Sequence, residues 1–274
     1  MPTINCSRMR AGKWLLIGCC MASLHAGAQH RSVFLAAGQS NAVGKGDQAR
    51  SLICESGTAY EYKWKTDTLV SLKDPVGESY RQLEQAGTGS VWPAFAAAWH
   101  QRTGDTVIIV PAARGGASCH PKARLGAMDT WDTTGSLFEA AVGKTTAVLQ
   151  KSKGVLKGII WLQGERDANA INSGNLTTAE YQSALIGLIQ RFRASLGNKV
   201  PFFIVQTGNY SGHPVAGFEE VRKAQQAVAR KLPAVMIVYR DTPSFPTKKW
   251  MTDDIHYNQE GLNDIGRVIA KEIK

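Results

Sequence analysis

Five short runs of unbroken apolar residues limit what this chain can fold into: "VFLAA" at 33–37, "TVIIV" at 106–110, "GIIWL" at 158–162, "PFFIV" at 201–205 and "AVMIVY" at 234–239. A strand with one wet face alternates polar and apolar side chains, so strands apolar at nearly every position must be covered on both faces. Helical periodicity fills the intervals. Thr177 and Glu180 have the spacing of a capping box, and Tyr181, Leu185, Leu188, Ile189 and Phe192 then share one helix face. Phe218, Val221, Ala224 and Val228 repeat that spacing, as do Leu262, Ile265 and Ile269. Residues 93–102, opening on Pro93, and 137–150 read as two further helices. Strands alternating with helices predict an α/β fold, a three-layer α/β/α sandwich around a mainly parallel five-stranded sheet. Residues 44–90 break the alternation. They are polar and carry Tyr60, Tyr62, Trp64 and Tyr80 without a clean period, which reads as a loop insertion whose aromatics either stack on sugar rings or pack locally.

With 43% hydrophobic and 20% charged residues, the chain can bury a large core and is too polar for a multi-span membrane protein. The first 28 residues differ from the rest. Arg8, Arg10 and Lys13 precede an apolar stretch too short to span a bilayer, which ends in Ala26-Gly27-Ala28. This predicts an export signal over 1–28 cut before Gln29, a single domain over 29–274, a periplasmic or secreted location and no lasting membrane partner. The lipobox-like Leu16-Ile17-Gly18-Cys19 offers lipid anchoring through Cys19 as the weaker alternative, because only four apolar residues separate Lys13 from Gly18. Without the leader and its three cations, the formal charge of +10 becomes +7. The cations are scattered, so charge gives no support for nucleic-acid binding. Cys54 and Cys119 remain, free to pair in an oxidising compartment. No CxxC or HExxH spacing occurs, and neither a metal nor another cofactor is expected.

Open α/β sheets bind ligands at the carboxyl ends of their strands, and the residues there are chemically coherent. The first run leads to Gly38-Gln39-Ser40-Asn41, the second to Arg114-Gly115-Gly116, the third to Gln163-Gly164-Glu165, and the loop after the fifth to Asp253-Asp254-Ile255-His256. A serine hydroxyl needs a base to attack an ester, and His256 is the histidine with a carboxylate three residues before it. Asp253 at that distance can hold the ring nitrogen that does not face Ser40, whereas its neighbour Asp254 should point elsewhere. Attack on an ester carbonyl creates an oxyanion that needs donors fixed in advance. The available donors are the N–H of Ser40, the N–H of Gly115 or Gly116, and the side-chain amide of Gln163. Each signal is weak by itself, and their ordered occurrence after successive strands carries the reading.

These residues resemble the SGNH hydrolase superfamily, and within it the sialic acid-specific acetylesterase group related to carbohydrate esterase family six. "GQSNAVG" is similar to that group's nucleophile block, "PAARGGAS" to its glycine block, "WLQGERDA" to its WxQGExD block and "DDIHYNQEGL" to its DxxH block. The resemblance runs from about residue 32 to the C-terminus. It implies a flavodoxin-like sandwich, no metal, and removal of acetyl groups from sugar hydroxyls through an acyl-enzyme on Ser40. It also implies supporting roles for Gln39 and Asn41, Gln163 in place of the superfamily's oxyanion asparagine, and a buried hydrogen-bonding role for Glu165. Arg166 and Arg114 depart from the pattern. Arg114 with His120 and Lys122 would suit an acidic sugar, unless the three are merely solvated cations at a loop edge. The α/β-hydrolase fold is disfavoured because its nucleophile follows several strands. A lipid esterase of the same superfamily and a silent carbohydrate-binding relic remain as alternatives.

Overall fold

The computed structural model describes residues 1–3 and 30–274; the export signal expected over 1–28, including Cys19, lies outside them apart from its first three residues. All five apolar runs are strands: β1 (Arg31–Gly38), β4 (Thr106–Ala113), β5 (Val155–Leu162), β6 (Phe202–Val205) and β7 (Val235–Tyr239). Two more strands, β2 (Ala59–Lys63) and β3 (Thr68–Ser71), complete a seven-stranded sheet in the order β3-β2-β4-β1-β5-β6-β7. Every pairing is parallel except that of β3 with β2.

Both faces of the sheet are covered, as unbroken apolarity requires. Val33, Leu35 and Ala37 of β1 pack on one side against α3 (Leu137–Ser152), α5 (Thr178–Leu196) and α6 (Ala216–Lys231). Phe34 and Ala36 pack on the other against α2 (Trp92–Thr103) and α7 (Gln259–Glu272). Two short helices, α1 (Ser40–Val43) and α4 (Glu165–Asn172), start just beyond β1 and β5. The capping box at the start of α5 forms as read: Thr177 Oγ1 accepts from the Glu180 N–H at 3.3 Å, and Glu180 Oε2 accepts from the Thr177 N–H at 2.9 Å.

The expected five strands become seven because the 44–90 segment contributes β2 and β3 to one edge. Their short, mixed sequences hide them. Glu61 interrupts β2 yet is buried, because Lys63 Nζ lies 2.9 Å from its Oε1 and the Gly77 N–H donates to its Oε2 at 2.7 Å. The aromatics of this segment pack locally: Tyr62 donates to Asp67 Oδ1 at 2.6 Å, the Trp64 and Tyr80 rings meet edge to face, and the Arg81 guanidinium covers Trp64. Cys54 and Cys119 are both free thiols. They belong to the hydrophobic layers on opposite faces of the sheet.

The sheet order places β1 between β4 and β5, so the chain leaves β1 at the point where strand order reverses, and a crevice opens there. Gly38 closes β1 with φ +143°, in register with Ala113 and Leu162. A Cβ at this position would collide with the Leu162 carbonyl. Gly38→Ala is expected to destabilise the fold by more than about 2 kcal/mol, since backbone cannot yield as a flexible side chain does. Urea unfolding measures this, and a loss below about 0.5 kcal/mol would show that the close approach is not required.

Candidate active site

Ser40 is the first residue of α1, turned into the crevice by a 2.9 Å hydrogen bond from the Gln39 N–H to the Leu162 carbonyl. Its Oγ lies 3.0 Å from His256 Nε2, and His256 Nδ1 lies 2.7 Å from Asp253 Oδ2. The other carboxylate oxygen of Asp253 accepts from the N–H groups of Ile255 at 2.9 Å and His256 at 2.8 Å. Partial burial pushes the Asp253 carboxyl up, but the bonds from the His256 ring and these two N–H groups more than reverse it, and its pKa is lowered. The carboxylate that meets the ring is therefore Asp253's. Asp254 contributes its carbonyl to the Ser211 N–H.

Asn41 ties the histidine loop to the nucleophile turn. Its Nδ2 donates to the Ile255 carbonyl at 3.2 Å and to Glu165 Oε1 at 2.8 Å, and its Oδ1 accepts from the Tyr257 N–H at 3.1 Å. One buried side chain thus grips the backbone on both sides of His256. Glu165 is fully buried, and burial raises its pKa against the opposing Asn41 bond. Gln39 Oε1 accepts from the N–H groups of Gly164 at 3.4 Å and Arg166 at 3.2 Å, fixing the start of α4 against the serine turn.

Gln163 differs from its expected role as an oxyanion donor. Its Nε2 donates to the Asp167 carboxylate and to the Ala117 carbonyl at 3.3 Å, so its N–H groups are engaged away from a substrate carbonyl. The cause is Asp167, four residues on and buried, which also accepts from the N–H groups of Cys119 at 2.9 Å and His120 at 3.0 Å. Asp167 thereby moors the 117–120 segment and captures the amide. Sequence reasoning gave it no role, although its spacing from Gln163 places both side chains near one helix start. The glycine pair also divides. The Gly115 N–H donates to Glu84 Oε2 at 2.7 Å, whereas among the described residues the Gly116 and Ser40 N–H groups have no hydrogen-bond partner.

A cavity of about 570 Å³ opens over Ser40 and His256, bordered by Lys45, Glu84, Arg114, Gly115, Gly116 and Arg166 on its polar side. Leu125, Met128 and Tyr210 line its apolar side. Of the three residues read together as an acidic-sugar subsite, only Arg114 borders it. His120 Nδ1 accepts from the Lys122 N–H at 3.1 Å and Lys122 pairs with Glu180 at 2.5 Å, and neither reaches the cavity. None of Tyr60, Tyr62, Trp64 and Tyr80 borders it either. A larger cavity, about 750 Å³, lies at the opposite end of the sheet beside His30, Arg31 and Thr106, and its lining holds no serine–histidine hydrogen bond. Among the described residues no cluster of three or more His, Cys, Asp or Glu side chains is placed to hold a metal ion, and no helix is long and apolar enough to cross a membrane.

A mainly parallel sheet between helices thus carries a serine, a glycine turn and an Asp-x-x-His loop together at its carboxyl edge. Residues 30–274 match the model of the family described as carbohydrate esterase, sialic acid-specific acetylesterase. The chain belongs to that family and is a carbohydrate O-acetylesterase. Its fold is similar to that of a protein from Arabidopsis thaliana, with TM-score 0.67 and 21% identity over 88% of this chain and 96% of that one. It is also similar to NanS, with TM-score 0.60 and 14% identity over 89% and 97% of the two chains. A carbohydrate acetylesterase from Xanthomonas citri aligns with TM-score 0.57 and 21% identity, over 88% of this chain and 56% of its own. No curated protein sequence matches the chain.

Burial dominates the Asp167 carboxyl and raises its pKa from 3.8 to about 6, against the hydrogen bonds from Cys119, Gln163 and His120. An acid held above its unfolded value favours the folded state most when protonated. That stability is complete below the unfolded pKa of 3.8 and is lost as pH rises through about 6. Relative to Asp167→Asn, which cannot ionise, the wild type is expected to lose up to about 3 kcal/mol of stability between roughly pH 4 and pH 7. Urea unfolding of both proteins across that range reads the difference; a gap independent of pH would mean that Asp167 titrates normally.

Proposed function

We propose that this chain is a serine esterase that removes O-acetyl groups from carbohydrates through an acyl-enzyme on Ser40. The observation that carries the reading is the continuous chain of hydrogen bonds from Ser40 Oγ through the His256 ring to the Asp253 carboxylate. Neutral His256 takes the Ser40 proton at Nε2 as Oγ bonds to the acetyl carbon. Asp253 holds the other ring nitrogen and stabilises the imidazolium that forms. The carbonyl electron pair moves onto oxygen, where the N–H groups of Ser40 and Gly116 are the donors without other partners. Collapse breaks the bond to the sugar oxygen, which leaves with the proton returned from Nε2. Water then repeats the sequence, with His256 as base, and releases acetate.

The cavity favours a sugar. Leu125, Met128 and Tyr210 offer apolar surface to a ring face, and Arg114 and Arg166 supply charge suited to a carboxylated sugar such as a sialate or uronate. The family's description and the Xanthomonas citri carbohydrate acetylesterase support an acetylated carbohydrate as the substrate. The basic, apolar and small-residue order of residues 8–28 supports action outside the cytoplasm, in the periplasm or after secretion.

Ser40→Ala is expected to lower acetate release from 4-nitrophenyl acetate and from acetylated sugars by about 10⁴-fold or more, at unchanged thermal stability. Hydrolysis at the wild-type rate in that variant would remove Ser40 from the mechanism.

A further inference from the structure

We propose that Glu84 is a positioning residue for the oxyanion site, holding the Gly115–Gly116 turn so that the Gly116 N–H is presented to the reacting carbonyl. The inference rests on acyl transfer through Ser40 and names a part of that site which no sequence block contains.

The turn is closed by the Ala117 N–H donating to the Arg114 carbonyl at 3.3 Å, and Gly116 has φ +71°. A turn with two central glycines has little steric preference between its two central-peptide orientations, because neither residue carries a Cβ. In one orientation the Gly116 N–H faces one side of the turn; in the other it faces the opposite side. That orientation is fixed relative to the site only if the preceding Arg114–Gly115 peptide is itself held in place.

Glu84 holds that peptide and the strand end before it. Its side chain accepts the Gly115 N–H at 2.7 Å, and its backbone N–H donates to the carbonyl of Ala113, the last residue of β4, at 3.0 Å. A carboxylate accepting an N–H makes a stronger bond than a neutral acceptor does. Lys45 Nζ, 3.2 Å from the other carboxylate oxygen, offsets a negative charge that would otherwise stand beside the developing oxyanion. Arg114 adds a tether from the turn to the same loop, donating to the Gln82 carbonyl at 3.2 Å. The loop itself is anchored, since the Ala86 N–H donates to the Val76 carbonyl at 2.8 Å and the Gly77 N–H to buried Glu61. The rim segment thus acts on the site through the glycine turn.

The test compares Glu84→Ala, Glu84→Gln and Glu84→Asp in steady-state hydrolysis of 4-nitrophenyl acetate, with thermal melts of each. An oxyanion donor acts in the transition state, so its loss lowers kcat and leaves KM nearly unchanged. Glu84→Ala is expected to lose about 10- to 100-fold in kcat, less than the complete loss of a donor. Glu84→Gln keeps an acceptor for the Gly115 N–H and is expected to stay within about 3-fold of wild type. If Glu84→Ala does not fold, Glu84→Asp decides: it keeps the charge beside Lys45 but is one methylene too short to hold Gly115, and should show the same fall in kcat. Wild-type kcat in a folded Glu84→Ala, or in Glu84→Asp where Ala does not fold, would overturn the inference. So would equal losses in Ala and Gln with a raised KM. Ser40→Ala assayed alongside separates the two claims. Activity there defeats acyl transfer through Ser40; an inactive Ser40→Ala beside a fully active Glu84→Ala defeats only the role of Glu84.

Discussion

The site depends on one close approach, that of Gly38 at the end of β1 to the Leu162 carbonyl at the end of β5. With no side chain between them, the Gln39 N–H reaches that carbonyl at 2.9 Å and the chain turns at once into α1. Ser40 therefore leaves the sheet directly from a strand held between two neighbours. The Gly38 carbonyl in turn receives the Trp131 indole N–H at 3.1 Å and the Arg114 N–H at 3.3 Å, which binds the glycine turn to the same spot. Three strand ends and one indole meet at a single peptide.

Around this point the polar side chains are used to join loops. Asn41 grips both flanks of His256, Gln39 holds the start of α4, and Asp167 holds the 117–120 segment together with Gln163. Each is buried and hydrogen-bonded, and each replaces water as the partner of backbone groups that a turn leaves unpaired. A hydrophobic core alone would fix the strands but not the loops. The network fixes the loops, and it keeps serine, imidazole and carboxylate in line before any substrate arrives.

Much of this was legible in the sequence because it follows from local rules. Continuous apolar runs mark strands covered on both faces, and all five are strands of the sheet. Strand-end position singled out Ser40, Asp253 and His256, which the fold brings into hydrogen-bond contact across 216 residues of separation. The parts that were not legible depend on partners distant in sequence. β2 and β3 lack a continuous apolar run, because buried Glu61 takes its compensation from Lys63 and Gly77. Gln163 carried the right residue type for an oxyanion donor, yet its direction is set by Asp167, and the Gly115 N–H is taken by Glu84 from a segment read as an insertion. A motif gives residue types; which hydrogen bonds they make depends on every acceptor that the fold delivers.

An activated Ser40 is the claim on which the functional account stands, and labelling with a fluorophosphonate followed by peptide mass spectrometry tests it most directly. One phosphonyl group per chain should appear on Ser40 in step with loss of esterase activity, and labelling should fall sharply in His256→Ala. Inactivation with the adduct on another residue, or complete Ser40 labelling with activity intact, would contradict it.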